Sequence, residues 1–135
     1  MKKYISKSVT QTKNLAKKLA KDFKGGEILG LVGNLGAGKT HFTKGIVEYF
    51  GVKKVVNSPT FVLLKPYVIP SEVMGSRFKT TRSHHSPAIA GSFGMTQLIH
   101  IDCYRLDSPE ELLAIGLNEF ISNKKNIIVI EWAEK

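Results

Sequence analysis

The chain has 135 residues, of which 42% are hydrophobic, and a formal net charge of +9. This length and composition predict one domain over residues 1–135 with a hydrophobic core, and they exclude a wholly disordered chain. The single cysteine, Cys103, excludes an internal disulfide framework and a cysteine-rich zinc site. No apolar run is suited to a signal peptide or a membrane span, so a cytoplasmic protein is expected.

The positive charge is concentrated near the N-terminus. Residues 1–24 contain eight lysines and one acid, whereas residues 100–135 contain four basic and seven acidic residues. A basic N-terminal surface could attract an anionic partner such as RNA. Because lysines outnumber arginines 17 to 3, and specific nucleic-acid contacts rely on arginine, a solvated helix surface is the favoured interpretation.

The first predicted element is an amphipathic helix over residues 10–24. Apolar side chains recur along one side of this segment, as the period of an α-helix requires. The pair Gly25-Gly26 ends the predicted helix. The residues that form the apolar stripe are Leu15, Ala16, Leu19, Ala20 and Phe23.

Residues 33–40, with the sequence GNLGAGKT, match the phosphate-binding P-loop pattern G-x-x-x-x-G-K-[ST] at every fixed position. The apolar residues 27–32 predict a strand before the loop, and residues 41–50 predict a helix after it. Backbone N–H groups of such a loop converge on phosphate, and the helix N-terminus adds its positive dipole. The pattern predicts that Lys39 contacts the β- and γ-phosphates and that Thr40 binds Mg²⁺. The other predicted nucleotide contacts in the loop are Gly33, Leu35, Gly36, Ala37 and Gly38.

After the P-loop helix, β-rich runs alternate with turn-forming segments. Val55 and Val56 can begin a strand, and residues 61–65 predict another. Between them, Thr60 lies in a Ser-Pro-Thr segment, where nucleotide hydrolases place a hydroxyl that senses the γ-phosphate; a plain turn before a strand is nearly as well supported. Residues 66–96 lack periodicity and are rich in turn-forming residues, which predicts a long flexible insertion or a disordered loop.

The C-terminal part predicts two short apolar strands that each end in an acid. The run LIHI is followed by Asp102, and the run IIVI by Glu131. Between them, a helix is predicted to begin with a capping box of Ser108 and Glu111 and to end at Gly116. This alternation of strands and helices predicts a three-layer α/β sandwich of the P-loop NTPase type, with a largely parallel central sheet.

Both strand-end acids are candidates for the metal site. A P-loop enzyme needs an acid near Mg²⁺, usually at the carboxyl end of a neighbouring strand. Because Mg²⁺ takes few protein ligands and keeps several waters, one acid can hold the metal while the other orients or activates the attacking water. Spacing alone does not assign these two roles to Asp102 and Glu131.

Other classes of P-loop protein fit less well. The guanine-reading pattern N-K-x-D is absent, because residues 123–126 read N-K-K-N. A small-molecule kinase would use several arginines to clamp the transferred phosphate, and two of the three arginines, Arg77 and Arg82, lie in the predicted loop. The alternatives are therefore a small-molecule kinase, or a nucleotide-sensing binding module without efficient hydrolysis.

Four motifs in order resemble the bacterial TsaE (YjeE) family of P-loop ATPases. They are the P-loop, S-P-T-F at residues 58–61, H-I-D-C-Y-R-L at residues 100–106 and E-W at residues 131–132. The resemblance implies that ATP and Mg²⁺ bind and that hydrolysis supports threonylcarbamoyl transfer to adenosine 37 of tRNA. TsaD-type and TsaB-type proteins are the implied partners, and tRNA would be contacted only through their complex. Trp132 is implied to pack beside the nucleotide.

The resemblance also implies roles for individual residues. By position, Lys39 contacts the phosphates, and Thr40 and Glu131 hold Mg²⁺. Asp102 is the candidate for activating water. Thr60 lies in the switch-like loop.

The chain departs from the family pattern at three places. Asn34 stands where the family usually has an acid after the first P-loop glycine. The stretch between Phe61 and His100 is longer than the family usually carries. The chain ends at Lys135, so we expect the sheet to lack the C-terminal strands of the family.

Overall fold

The computed structural model describes residues 2–52, 63–70, 73 and 96–135. The helices within these ranges are α1 (Val9–Ala20), α2 (Lys39–Tyr49), α3 (Pro109–Ala114) and α4 (Leu117–Ser122). The strands are β1 (Ile28–Leu31), β2 (Leu64–Val68), β3 (Gln97–Asp102) and β4 (Ile127–Glu131). No helix in the described ranges is long and apolar enough to cross a membrane.

The strands form a four-stranded sheet in the order β1-β4-β3-β2. β4 pairs in parallel with β1 on one side and with β3 on the other, whereas β2 runs antiparallel to β3. β3 and β4 are buried along nearly their whole length, as is usual for strands of a parallel sheet that is covered on both faces. The predicted largely parallel sheet is confirmed.

Alternate residues of the central strands face opposite layers of helices. Leu98, Ile127 and Val129 belong to one buried cluster with residues of α1 and α2. Ile99 and Ile128 belong to a second cluster with residues of α3 and α4. Because side chains alternate along a strand, each central strand contributes to both clusters. The chain therefore forms the predicted three-layer α/β sandwich.

α1 and α2 pack so closely that one position between them has room only for glycine. A Cβ atom at Gly45 would lie 2.6 Å from the Lys13 carbonyl oxygen and 2.7 Å from Ala16 Cβ. At the rim of this contact, Glu48 accepts from Lys13 Nζ at 2.5 Å and from Lys17 Nζ at 2.9 Å. Two of the N-terminal lysines therefore pair with Glu48 within the fold.

α1 is shorter than predicted. It ends at Ala20, and Leu19 of the predicted apolar stripe is 39% exposed. The Glu27 carboxylate accepts from the backbone N–H groups of Lys24 at 2.6 Å and Gly25 at 2.8 Å, which holds the turn after the helix. The chain therefore leaves the helix before the two glycines. The hydrophobic period of the sequence does not predict this turn.

The predicted boundary between a strand over residues 61–65 and a loop from residue 66 is wrong. β2 continues through Pro66, which lies opposite Ile99, to Val68. β2 is the edge strand of the sheet in the described residues, and proline is tolerated there because an outward position needs no N–H donor. Thr60, Val55, Val56 and most of the predicted loop lie outside the described residues.

The start of α3 was predicted correctly, but the capping box was not. Ser108 has an extended backbone, and its hydroxyl accepts no bond from a helix N–H group. Instead, Glu111 N donates to the Ser108 carbonyl oxygen at 3.3 Å. The neighbouring Ser108 hydroxyl lowers the pKa of the exposed Glu110 carboxyl below its usual value. A further helix, α4, follows Gly116 and was not predicted.

Candidate functional site

The P-loop connects β1 to the N-terminus of α2. Three of its glycines have positive φ angles: Gly33 (146°), Gly36 (79°) and Gly38 (94°). L-residues with a side chain disfavour these conformations, so the glycines permit the tight path of the loop. Gly38 is the N-cap of α2 and carries no capping side chain, and the first N–H groups of any α-helix lack helical partners. The loop and the helix start together form an anion-binding geometry.

Lys39 is held over the loop by neutral groups. Its Nζ donates to the carbonyl oxygens of Gly33 and of Asn34, the latter at 3.1 Å. The same nitrogen lies 3.4 Å from the ring centroid of Trp132, which places the cation on the negative face of the ring. Lys39 is only 9% exposed, yet none of these partners carries a negative charge. The ammonium group therefore stays available as a charge partner for an anion.

Glu131 is a buried carboxylate with hydrogen bonds to both oxygens. Oε2 accepts from Thr40 Oγ1 at 2.8 Å. Oε1 accepts from Thr43 Oγ1 at 3.1 Å and from His100 Nε2 at 2.7 Å. The residue is 1% exposed, and a buried carboxylate needs such donors to offset its desolvation.

The register of the fold explains why these side chains meet. β3 and β4 are parallel, and Asp102 lies directly opposite Glu131 at their carboxyl ends. His100 is two residues before Asp102 and so belongs to the same face of β3. On α2, Thr40 and Thr43 are three residues apart, a spacing that puts two side chains on one side of a helix. The strand ends and the start of α2 therefore converge at one edge of the sheet.

Asp102 lies beside this network at the surface of the cleft. It is 3% exposed, and its Oδ1 accepts from the backbone N–H of Tyr104 at 3.0 Å. The Tyr104 ring in turn lies 5.0 Å from the Trp132 ring, centroid to centroid. Trp132 itself has a left-handed backbone with a φ of 59°, which turns the chain as β4 ends and directs the ring toward Lys39.

Most of the predicted site residues line a cleft of about 380 Å³. The cleft brings together the P-loop, the start of α2 and the ends of β3 and β4. Gly33 is not a lining residue and instead contributes the carbonyl oxygen that Lys39 contacts. Thr60 lies outside the described residues. The lining residues are Leu35, Gly36, Ala37, Gly38, Lys39, Thr40, His41, Asp102, Tyr104, Glu131 and Trp132.

The donor set of the cleft suits Mg²⁺ better than a metal with nitrogen or sulfur ligands. Within the described ranges, no cluster of three or more His, Cys, Asp and Glu side chains is arranged to hold a metal ion. The pair of Thr40 Oγ1 and Glu131 Oε2, 2.8 Å apart, offers a hydroxyl and a carboxylate oxygen. Mg²⁺ prefers oxygen ligands and is usually held by one or two carboxylates, with water filling other positions. The residues present therefore fit this ion.

Sequence reasoning missed four residues of the site. Thr43 and His100 hold Glu131, Tyr104 contacts Trp132, and His41 lines the cleft. Thr43 and His100 could have been found from the spacing of residues in the sequence. The helical period relates Thr43 to Thr40, and the strand period relates His100 to Asp102.

The chain is similar to proteins of one family. A family model described as "Threonylcarbamoyl adenosine biosynthesis protein TsaE" matches residues 6–135. The chain is 36% identical over 123 residues to the tRNA threonylcarbamoyladenosine biosynthesis protein TsaE of Bacillus subtilis, covering 91% of this chain and 61% of the relative. It is 38% identical over 128 residues to the protein of the same name from Rickettsia conorii, covering 94% of this chain and 58% of the relative.

One solved structure is also similar to this chain in its fold. The crystal structure of Bacillus subtilis YdiB superposes with a TM-score of 0.59 at 27% identity, over 96% of this chain and 62% of that one. The chain thus spans about three fifths of the length of these relatives. The family match, which covers nearly the whole chain, and the P-loop sandwich together show that the chain belongs to the TsaE family.

Proposed function

We propose that this chain binds ATP and Mg²⁺ and hydrolyses ATP in support of threonylcarbamoyl transfer to adenosine 37 of tRNA. Family membership and the names of the relatives support the pathway. The observation that carries the proposal is the 2.8 Å contact between Thr40 Oγ1 and Glu131 Oε2. It joins the hydroxyl of the P-loop to a strand-end acid, which is the pairing that P-loop NTPases use for Mg²⁺.

Three residues would hold the nucleotide phosphates and the metal. Lys39 is a buried cation whose partners are neutral, so contact with the β- and γ-phosphates would give it charged ones. Thr40 and Glu131 would hold Mg²⁺. When bound, Mg²⁺ offsets negative charge on the β- and γ-phosphate oxygens.

The geometry supports different roles for the two acids. The carboxylate of Glu131 contacts the P-loop hydroxyl, which favours it as the metal acid. Asp102 lines the same cleft and lies opposite Glu131 in the sheet, which favours it as the residue that orients or activates water. Thr60 is proposed as the γ-phosphate sensor from its residue type and the family resemblance alone.

We also propose the wider setting of this activity. The chain would form one P-loop domain, because both buried clusters share one sheet. It would act in the cytoplasm with TsaD-type and TsaB-type proteins and meet tRNA through their complex. This part of the proposal rests on family membership.

Steady-state ATP hydrolysis, with and without TsaD-type and TsaB-type proteins, tests the site. Glu131→Gln keeps the shape of the side chain but removes its charge, so we expect hydrolysis to fall by about 100-fold or more. Lys39→Ala should have an effect of similar size. Glu119→Gln makes the same change at an exposed position of α4 and should leave the rate unchanged. Wild-type hydrolysis by both site variants would refute the site assignment.

A second experiment tests the pathway. Threonylcarbamoylation of tRNA is followed over many turnovers with and without this protein, and we expect repeated turnover only when it is present. Hydrolysis that responds to a small phosphate acceptor but not to the two partner proteins would favour a kinase. Turnover that is supported equally well by the Glu131→Gln variant would favour a nucleotide-sensing module.

A further inference from the structure

The two oxygens of Glu131 have different partners. Oε2 contacts the hydroxyl of Thr40, the predicted metal ligand, at 2.8 Å. Oε1 accepts from Thr43 and His100. A carboxylate rotates easily about its last torsion angle, so hydrogen bonds to one oxygen decide which way the other one faces. Donors on Oε1 therefore leave Oε2 as the oxygen beside the Thr40 hydroxyl.

His100 is the stronger of the two hydrogen-bond donors to Oε1. Its Nε2 lies 2.7 Å from Oε1. The Thr43 hydroxyl has a single proton but two acceptors in reach, Glu131 Oε1 at 3.1 Å and the Lys39 carbonyl oxygen at 3.2 Å. Because a carboxylate only accepts hydrogen bonds, the proton between the ring and Glu131 belongs to His100 Nε2.

Core packing does not explain a histidine at position 100. The side chain is fully buried, and its Nδ1 has no hydrogen-bond partner among the described residues. Burying an unsatisfied polar atom is unfavourable, and an aliphatic side chain of similar size would avoid that cost. The bond from Nε2 to Glu131 is the contact that offsets it.

We propose that His100 is a positioning residue that orients Glu131 so that Oε2 faces the metal. This inference rests on the proposed function, because it assigns Oε2 to Mg²⁺. His100 does not touch the metal or the nucleotide itself. It donates its Nε2–H to Oε1 and thereby restricts the carboxylate to one orientation, with Thr43 as a weaker second donor.

Two polar substitutions at His100 test whether the position of the hydrogen-bond donor, and not only the polarity of the side chain, orients Glu131. In His100→Gln, the amide nitrogen can reach the place of Nε2 and still donate to Glu131. In His100→Asn, the shorter side chain puts its amide nitrogen near the place of Nδ1, too far from Oε1. Both variants keep a polar, uncharged side chain in the same buried site, so each is the matched control of the other.

The measured quantity is the affinity for Mn²⁺ in the presence of ADP, followed by electron paramagnetic resonance. Loss of a residue that orients a metal ligand typically weakens metal affinity by about 10–100-fold, and we expect that loss for His100→Asn. His100→Gln should stay within about threefold of the wild-type value. Metal-free ADP affinity, read from the fluorescence of Trp132, the single tryptophan, should be the same in all three proteins.

The outcomes distinguish this inference from the proposed function. Wild-type Mn²⁺ affinity in His100→Asn, or equal losses in both variants, would overturn the positioning role while leaving the proposed function standing. Failure of the wild-type chain to bind Mn²⁺ with ADP would overturn both. If thermal unfolding shows that His100→Asn does not fold, His100→Leu, an aliphatic side chain of similar size, takes its place. The inference then requires weaker Mn²⁺ binding in His100→Leu than in His100→Gln.

Discussion

Asp102 accepts a backbone hydrogen bond through one carboxylate oxygen while it lines the cleft beside the P-loop. The bond from Tyr104 N to Oδ1 is 3.0 Å long, and it fixes the side chain at the end of β3. An amide oxygen can accept the same bond, but an amide cannot take a proton from water. Replacing Asp102 with asparagine therefore tests the proposed chemical role of the carboxylate separately from its structural role.

We predict that Asp102→Asn lowers kcat for ATP hydrolysis by about 10²–10⁴-fold, the usual contribution of a general base. ATP affinity should change by less than about threefold, because the Tyr104 bond is kept. The measurements are steady-state kinetics and equilibrium nucleotide binding. Asp107→Asn, on an exposed residue, is the control. An unchanged kcat in Asp102→Asn would remove this residue from the mechanism.

Cys103 follows Asp102 and is buried against the second hydrophobic cluster. The residue is 4% exposed. Burial, followed by the nearby charges of Asp102 and Glu134, raises the pKa of Cys103 above its usual value. The reactive thiolate is thus scarce in the folded chain.

We predict that Cys103 reacts with Ellman's reagent far more slowly in the folded protein than in denaturant at the same pH. The raised pKa means that the folded state favours the neutral thiol. The buried thiol of Cys103 therefore stabilises the fold below its unfolded pKa. This contribution is lost as the pH rises through the higher folded pKa. Equal labelling rates in the folded and unfolded protein would contradict the burial of this side chain.

At the scale of elements, the contact between α1 and α2 supports the helix that carries the P-loop residues. Lys39 and Thr40 lie in the first turn of α2, and Gly45 lies farther along the same helix against α1. The atoms that a Cβ would meet at Gly45 include backbone atoms of Lys13, which cannot rotate away. α1 would have to move to admit a larger residue.

We predict that Gly45→Ala lowers the free energy of unfolding by about 1–3 kcal/mol, the usual cost of overpacking. Alanine favours a helix interior by roughly 0.5–1 kcal/mol over glycine, so a net loss identifies the steric clash as the larger effect. Urea denaturation measures the change, with Lys44→Ala on the same helix as the control. A more stable Gly45→Ala protein would show that the two helices separate easily.

The ion pairs at the rim of the same contact predict a pH dependence. Hydrogen bonds from Lys13 and then Lys17 hold the pKa of Glu48 below its usual value of 4.5. A lowered folded pKa gives stability that is present above the unfolded value and is lost as the pH falls through the folded one.

We predict that Glu48→Gln lowers the free energy of unfolding at pH 7 by less than about 1 kcal/mol, because the pair is exposed and screened by solvent. The difference from wild type should shrink below pH 4.5 and at high salt. Urea denaturation at several pH values and salt concentrations measures it. A difference that is the same at every pH would show that packing, not charge, holds this contact.

For the whole molecule, the cleft beside the P-loop joins parts of the chain that are distant in sequence. Residues from the P-loop, from the end of β3 and from the end of β4 line one space. A ligand in this space contacts all three segments in the folded state only. Binding is therefore coupled to the stability of the whole sandwich.

We predict that ATP with Mg²⁺ at a concentration 100 times Kd raises the free energy of unfolding by about 2.7 kcal/mol. Thermal unfolding with and without the ligands measures the shift. Lys39→Ala should show a much smaller shift at the same ligand concentration. An equal shift in the variant would mean that the ligand binds elsewhere.

Local patterns in the sequence predicted the parts of the site that lie close together along the chain. The glycine spacing of the P-loop, the helix predicted after it over residues 41–50, and the two strands that end in Asp102 and Glu131 follow from short-range geometry. Hydrophobic periods of 2 and 3.6 residues reflect the backbone itself. For this reason the sequence alone also predicted the sandwich and its largely parallel sheet.

Only the tertiary structure decided how these parts meet. The parallel register of β3 and β4 sets Asp102 opposite Glu131, and the position of α2 brings Thr40 to one oxygen of that carboxylate. The hydrogen bond from His100 to the other oxygen and the passage of β2 through Pro66 were likewise decided there. Each of these depends on which strands are neighbours and which edge is exposed. Contacts between distant segments have no local period, so the sequence placed an acid at the end of each strand but could not show that the two acids lie opposite each other.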